Sequence, residues 1–154
     1  MAAPQPVAAR REATPAAALF APKDFTVELL HTAEPDEGSW VNLCADDHGR
    51  LIISPQYSST HSRGGLLRVT LDAAGQVAKR EFIAQPLYDA QGMVFAFGSL
   101  WVVVNKYSTT FESGLYQITD DGSDTWSQIK LVKKLPGGGE HGPHAAELGP
   151  DGNL

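Results

Sequence analysis

The sequence predicts an all-β protein, and three observations lead to that prediction. Short apolar or alternating runs recur along the chain, separated by turns rich in glycine and aspartate. No stretch combines helical periodicity with capping residues. Two of the apolar runs also recur at one fixed spacing. The composition agrees, since 42% of the 154 residues are hydrophobic and the chain has 15 glycines and 10 prolines, as many short strands and turns require.

The first half of the chain contains five predicted strands, each with period-2 alternation or a continuous apolar run. They are residues 25–30, 40–45, 50–54, 65–71 and 77–83. The Asp/Gly-rich segments 46–49 and 72–75 fall between consecutive strands, so they predict turns that return the chain as hairpins.

A sequence repeat defines the architecture more closely. Residues 49–53 (GRLII) recur at 98–103 (GSLWVV), and residues 65–70 (GLLRVT) recur at 114–119 (GLYQIT), both with an offset of 49 residues. A third copy begins within 146–154 (AELGPDGNL). Four short strands in roughly 40–50 residues is the size of one propeller blade. The repeat therefore predicts a partial β-propeller of about two and a half four-stranded blades, with a β-sandwich of chance internal similarity as the alternative.

The predicted domain boundaries follow from composition. Residues 1–21 are rich in alanine and proline and predict a disordered tail or linker, whereas 22–154 predict the truncated N-terminal part of a propeller. The chain ends at Leu154, inside the strand that the third copy should begin. Open blade edges present unpaired backbone groups, so we expect marginal stability or self-association through these edges.

Charge and cysteine content exclude several classes of function. The net charge is −6, and Arg10-Arg11 is the only adjacent arginine pair, so a nucleic-acid partner is not expected. Cys44 is the only cysteine, which excludes an intrachain disulfide and a cysteine-rich zinc site. Its apolar surroundings predict a small core residue. No apolar run reaches transmembrane length, and no secretory signal is visible.

The densest group of chemically active residues is the histidine loop, residues 136–144 (PGGGEHGPH). It holds Glu140, His141 and His144 among four glycines, directly before a predicted strand. Loops between blades gather at the mouth of a propeller's central channel, and glycine permits close approach of a ligand. Histidine serves as a general base near neutral pH or as a metal ligand. The alternative is a glycine-rich turn whose histidines bond to the backbone.

Four segments together resemble a known family. GSWVNLC followed by GRLIISPQY, AQGMVFAF, ESGLY and GGGEHGPH look like the N-terminal propeller of planctomycete-type haem-binding and membrane-bound dehydrogenase-like proteins. These are relatives of the sorbosone and soluble pyrroloquinoline-quinone glucose dehydrogenases. The resemblance covers about residues 22–154 and is most specific in the histidine loop. It implies an exported or periplasmic protein that oxidises a sugar or aldehyde and passes electrons to a cytochrome c domain or partner.

The resemblance also implies roles for particular residues. His141 would take the proton of the substrate hydroxyl while hydride passes to the quinone, and His144, Glu140, Gln56 and Tyr57 would contact the cofactor. Pyrroloquinoline quinone and calcium are implied for the full-length protein and no cofactor for this fragment, which we expect to be inactive alone. The chain departs from the family pattern in two places: Ala145 stands where an arginine is expected, and the haem motif Cys-x-x-Cys-His is absent.

The rival interpretation is a non-catalytic propeller module that binds carbohydrate or a protein partner within a larger exported protein. The missing arginine supports it. Asn42, Gln91 and Asn105 fall near strand ends, where polar side chains usually close the strand. The acidic segments Asp46-Asp47 and 120–124 lack the spacing of a helix-loop-helix calcium site and predict ordinary Asx turns. No metal site is predicted in this chain.

Overall fold

The computed structural model describes residues 12–56, 64–106, 111–139 and 141–154. Within them the chain forms one short 3-10 turn, Ala16–Ala18, and eight strands. The strands are β1 (Ser39–Ala45), β2 (Leu51–Gln56), β3 (Leu66–Leu71), β4 (Val77–Ile83), β5 (Ala90–Ala96), β6 (Ser99–Val104), β7 (Gly114–Thr119) and β8 (Gln128–Lys134). The all-β prediction is confirmed. In the described ranges, no helix has the length and apolar character needed to cross a bilayer.

The strands form two four-stranded antiparallel sheets. The first sheet has the order β1-β2-β3-β4 and the second has the order β5-β6-β7-β8. Within each sheet, every strand pairs with its neighbour in sequence. The predicted turns 46–49 and 72–75 return the chain directly beside itself between β1 and β2 and between β3 and β4. Strand positions agree with the sequence prediction for β1 to β4 within two residues.

The 49-residue sequence offset is also the offset between the backbone registers of the two sheets. Leu51 pairs with Val69 in the first sheet, and Leu100 pairs with Ile118 in the second. The outer strands follow the same rule, since Val69 lies opposite Arg80 and Ile118 lies opposite Ile129. Because register fixes which side chains share a face, residues 49 apart occupy equivalent places from β2 to Phe82 of β4 and from β6 to Leu131 of β8. Beyond Leu131, a bulge between Leu115 and Tyr116 shifts the register of the second sheet by one residue.

The first hairpin of each sheet differs by one residue from this rule. A bulge falls between Trp40 and Asn42 in β1 and between Ala90 and Gly92 in β5, an offset of 50. The turns of these two hairpins also differ in length. Residues 46–50 connect β1 to β2, whereas Phe97 and Gly98 alone connect β5 to β6 with φ values of 54° and 65°. Two positive φ values make the two-residue turn that suits the twist of a hairpin.

The main hydrophobic core lies between the two sheets. Its members are at most 7% exposed and come from both: Ile52, Leu66, Ile83, Ala84 and Leu87, together with Ala90, Met93, Leu100, Val102, Val104, Tyr116, Ile118 and Trp126. Strands β1 and β2 contact β5 across this interface. Alternation along β6 places Leu100, Val102 and Val104 in the core, which is the period expected of a sheet with one face on a partner.

A second, smaller cluster covers the opposite face of the first sheet. It contains Ile53, Leu67 and Val69, each at most 2% exposed. Residues 31–38 approach this face through Glu37, whose carboxylate pairs with Arg80 of β4. Arg80 lies opposite Val69 in the β3–β4 register, so the two share that face. The N-terminal segment is thereby attached to the first sheet.

The prediction of a strand at residues 25–30 is wrong. This segment belongs to no strand, and Phe25 and Leu29 are 72% and 50% exposed. A segment with alternating apolar and polar residues forms a strand only where a second strand pairs with its backbone groups. No described strand lies beside residues 25–30. Of the predicted tail, residues 1–11 lie outside the described residues.

The third sequence copy contains a turn but no strand. Gly149 N donates to Asn153 O and Gly152 N donates to Gly149 O. The β1–β2 turn makes the same two bonds, from Asp46 N to Arg50 O and from Gly49 N to Asp46 O. Residues 146–154 thus repeat the turn of the first hairpin without its strands.

Candidate functional site

The histidine loop leaves β8 and is fastened over the end of β6. Asn105 directly follows β6 and is fully buried, with 0% exposure. Its Oδ1 accepts a hydrogen bond from Gly138 N at 2.8 Å, and its Nδ2 donates to Gly139 O at 3.0 Å. One side chain thus satisfies a backbone donor and a backbone acceptor of the loop.

Two glycines of the loop are required by close contact. A Cβ atom at Gly142 would clash with the Asn105 amide, and one at Gly137 would come within 2.5 Å of Ser113 Oγ. Gly138 and Gly139 are required by conformation instead, because their φ values are 114° and 77°. The glycine-rich composition therefore lets the loop backbone lie directly on the strand ends.

Ser113 connects the loop to the neighbouring strand ends. Lys106 N donates to Ser113 Oγ at 2.9 Å, and Leu135 N donates to Ser113 O at 3.0 Å. Ser113 precedes β7, Lys106 follows β6 by two residues, and Leu135 follows β8. The ends of three adjacent strands of the second sheet are therefore tied together beneath the loop.

The two histidines of the loop differ in their surroundings. His144 Nε2 accepts a hydrogen bond from Gly142 N at 3.2 Å, so that nitrogen carries no proton in this arrangement. The backbone at His144 and Ala145 lies against Gly92 of β5. His141 is exposed, and it hydrogen-bonds to no other residue in the described ranges. The His141 imidazole therefore faces solvent, while His144 helps to shape the turn.

The structure describes the other predicted site residues only in part. Gln56 is the last residue of β2, and nothing is described of its side chain. Tyr57 and Glu140 lie outside the described residues. Gln56 lies 49 residues before Asn105, so the two occupy equivalent places at the ends of β2 and β6. Among the predicted site residues, the structure brings His141 and His144 together in one loop.

Sequence reasoning missed an ionic cluster that joins the two sheets. Asp124, in the turn before β8, accepts hydrogen bonds from Arg68 at 2.7 and 2.9 Å and from Arg50 at 3.0 Å. Arg68 is 1% exposed and also pairs with Glu81 at 2.9 Å. Partial desolvation acts to raise the pKa of the Asp124 carboxyl, but the bonds from the two arginines outweigh it and hold that pKa below its usual range.

The acidic turns bind their own backbone, as predicted. Asp46 Oδ1 accepts from the N–H groups of His48 and Arg50 at 2.9 and 2.8 Å. Asp120 and Asp121 accept similar bonds from the turn before β8. Asp46, Asp47 and His48 lie close enough to share an ion, but the oxygens of Asp46 already serve the turn and the Arg50 side chain. These carboxylates stabilise turns.

Cys44 is not arranged as a nucleophile. It lies half-buried in β1 beside the main core. Burial, together with the negative charge of Asp46, raises the pKa of the Cys44 thiol to about 11. Because the thiolate is the reactive form, this side chain is unreactive at neutral pH.

Comparison of the chain with models of known protein families, with curated proteins and with solved structures finds no match. The candidate site therefore rests on its geometry and on the sequence resemblance.

Proposed function

We propose that this chain is the N-terminal part of a β-propeller of the quinoprotein sugar or aldehyde dehydrogenase kind, with His141 as its general base. The observation that carries the proposal is the exposed His141, on a loop fastened to the buried amide of Asn105. Two four-stranded sheets with the same register, packed face to face through an apolar core, support the propeller architecture.

The chemistry of this chain's own residues is removal of a proton. A neutral imidazole is a suitable base for a sugar hydroxyl or an aldehyde hydrate at neutral pH. The base must lie within hydrogen-bonding reach of the hydroxyl, so a loop fixed to the sheet is better suited than a free one. His144 would hold the loop's turn through its bond from Gly142 N.

The described residues do not form a site for the quinone. Pyrroloquinoline quinone carries three carboxylates and requires cationic partners. Near the loop the chain offers Lys106, which is exposed, while Ala145 replaces the arginine of the family pattern. Asn105 Oδ1, an oxygen of the type that calcium binds, already accepts a hydrogen bond from Gly138 N. We therefore derive no step that involves the quinone.

Ala145 also favours a second candidate function, a module that binds carbohydrate without oxidising it. In that case the exposed face of the histidine loop would hydrogen-bond a sugar through His141, with no electron transfer. The two candidates differ in one observable: only the dehydrogenase reduces an electron acceptor when sugar is added.

The test uses the complete polypeptide that the gene encodes, supplied with pyrroloquinoline quinone and calcium. Dye-linked oxidation is measured on a panel of sugars and aldehydes. We expect His141→Ala to lower kcat by at least about 100-fold, the usual contribution of a general base. The matched control is His48→Ala, which removes an exposed imidazole from the β1–β2 turn. Sugar binding without dye reduction supports the second candidate, and equal activity of His141→Ala contradicts the first.

A further inference from the structure

The histidine loop has few attachments to the rest of the fold. Within residues 136–139 and 141–142, the hydrogen bonds to other elements in the described ranges are the two made by the Asn105 side chain. The bond from Gly142 N to His144 lies inside the loop. These two bonds fasten the middle of the loop to the end of β6.

Asparagine suits this attachment because its amide presents an acceptor and a donor in one plane. Oδ1 receives Gly138 N–H while Nδ2 reaches Gly139 O. Aspartate would keep the acceptor and lose the donor, and leucine would lose both. Full burial of Asn105 shields the two bonds from competing water.

Asn105 is itself fixed to the second sheet. Its backbone N donates to Asp89 O at 3.0 Å, and the preceding residue, Val104, is a fully buried member of the main core. Gly142, the residue next to His141, packs directly on the Asn105 amide. A series of contacts therefore runs from the main core through β6 and Asn105 to the backbone beside His141.

We infer that Asn105 is a positioning residue that orients the His141 imidazole by fastening the histidine loop to β6. The catalytic part of this inference rests on the proposed function, because His141 is a base only in that function. The Asn105 side chain holds the loop through its two hydrogen bonds and performs no chemistry.

The test measures loop order and needs no substrate. In the 154-residue chain, amide hydrogen exchange of Gly138 and the ring-proton resonances of His141 are followed by NMR. We expect Asn105→Leu to speed exchange at Gly138 at least tenfold and to move the His141 resonances toward those of an unstructured peptide. Asn105→Asp keeps the acceptor and should give an intermediate rate. The amide of Val102 reports whether the sheet is intact and should stay protected.

Gln117→Leu is the matched control. It removes an amide that donates to Ser99 Oγ at 3.0 Å, a bond within the second sheet, so Gly138 exchange should be unchanged. Gly142→Ala displaces the loop from the opposite side by a clash with Asn105 and decides the question if Asn105→Leu fails to fold.

Unchanged Gly138 exchange and His141 resonances in both Asn105→Leu and Gly142→Ala would overturn the inference. Equal loss of protection at Gly138 and Val102 would also overturn it, because that result describes general destabilisation. If the loop loosens as expected while the complete polypeptide oxidises no substrate, the anchoring by Asn105 stands and the proposed dehydrogenase function fails.

Discussion

Residues 49 positions apart occupy equivalent places in the two sheets, yet their side chains differ most where each sheet meets a different neighbour. Arg68 in β3 is 1% exposed and pairs with Glu81 and with Asp124 of the second sheet. Its equivalent in β7, Gln117, bonds Ser99 within its own sheet. The shared apolar pattern maintains the register, while the polar positions are adapted to whatever lies against each sheet.

The outer faces of the sheets differ in the same way. Ile53, Leu67 and Val69 of the first sheet are buried, and the segment that holds Glu37 is attached on that side. On the second sheet, Trp101 is half-buried and Val132 is 47% exposed. Val103 on the outer face of the second sheet is nevertheless buried. Among the described residues, the outer face of the first sheet is therefore covered more completely than that of the second.

The largest expected effect concerns a pair of leucines at equivalent positions. Leu100 is 1% exposed in the core between the sheets, whereas Leu51 is only partly buried against the smaller cluster. We expect Leu100→Ala to lower the free energy of unfolding by about 3 kcal/mol and Leu51→Ala by about 1 kcal/mol, because the cost follows the contacts and cavity lost. Urea denaturation measures both. Equal losses would mean that the interface between the sheets is not the main core.

The second prediction concerns the ionic cluster. Asp124→Asn leaves the buried Arg68 with Glu81 as its only charged partner in the described ranges, and asparagine tolerates the positive φ at this position. We expect a loss of about 2 kcal/mol, below the usual cost of breaking a buried pair because Asp124 is half-exposed and solvent screens it. Asp47→Asn, an exposed carboxylate of the first sheet, is the control and should change little.

The cluster also predicts a pH dependence. The pKa of the Asp124 carboxyl is lowered in the folded state, so its stabilising contribution is present above the unfolded value of about 4 and is lost as the pH falls through the folded value. Between about pH 5 and pH 2 the free energy of unfolding should fall less steeply in Asp124→Asn than in the parent chain. Identical slopes would show that the arginines do not stabilise the charged carboxylate.

A smaller effect is expected at the outer face of the first sheet. Glu37 is 1% exposed and accepts hydrogen bonds from His31, Arg80 and Glu34 N. Glu37→Gln removes the charge paired with Arg80, which is one-third exposed and can be solvated. We expect a loss of about 1 kcal/mol and faster amide exchange at residues 34–37. Glu28→Gln, an exposed position outside this cluster, serves as the control.

The smallest effect is expected at Cys44. Cys44 pairs with Ile52 in the first sheet. In the second sheet the equivalent of Ile52 is Trp101, which pairs with Val94, so Val94 is the counterpart of Cys44. Cys44→Val copies the second sheet and changes volume little, so stability should change by less than about 1 kcal/mol. In the parent chain, the raised pKa of about 11 predicts slow reaction with a thiol reagent at pH 8. Reaction as fast as in the unfolded chain would contradict this environment.

The accuracy of the sequence prediction varied with the range of the interactions involved. Alternation and the Gly/Asp turns predicted the strands of the first sheet because both arise from neighbouring residues, and the 49-residue offset predicted that the strand pattern repeats. Residues 25–30 have the alternation of a strand but no partner strand. Whether a partner strand is present depends on distant residues, and the local alternation carries no information about it. Asp124 and Arg68 are 56 residues apart, and Asn105 meets Gly138 across 33 residues, so neither contact has a local signal.

The bond between Arg68 and Asp124 has a consequence for the order of events during synthesis. All four strands of the first sheet precede residue 84, and so does Glu81, one of the two carboxylates that pair with Arg68. The other, Asp124, follows 40 residues after residue 84. At about 5–20 residues per second, the ribosome adds that stretch within seconds. During that interval the nascent first sheet carries Arg68 without its inter-sheet partner and exposes the apolar face that the second sheet later covers.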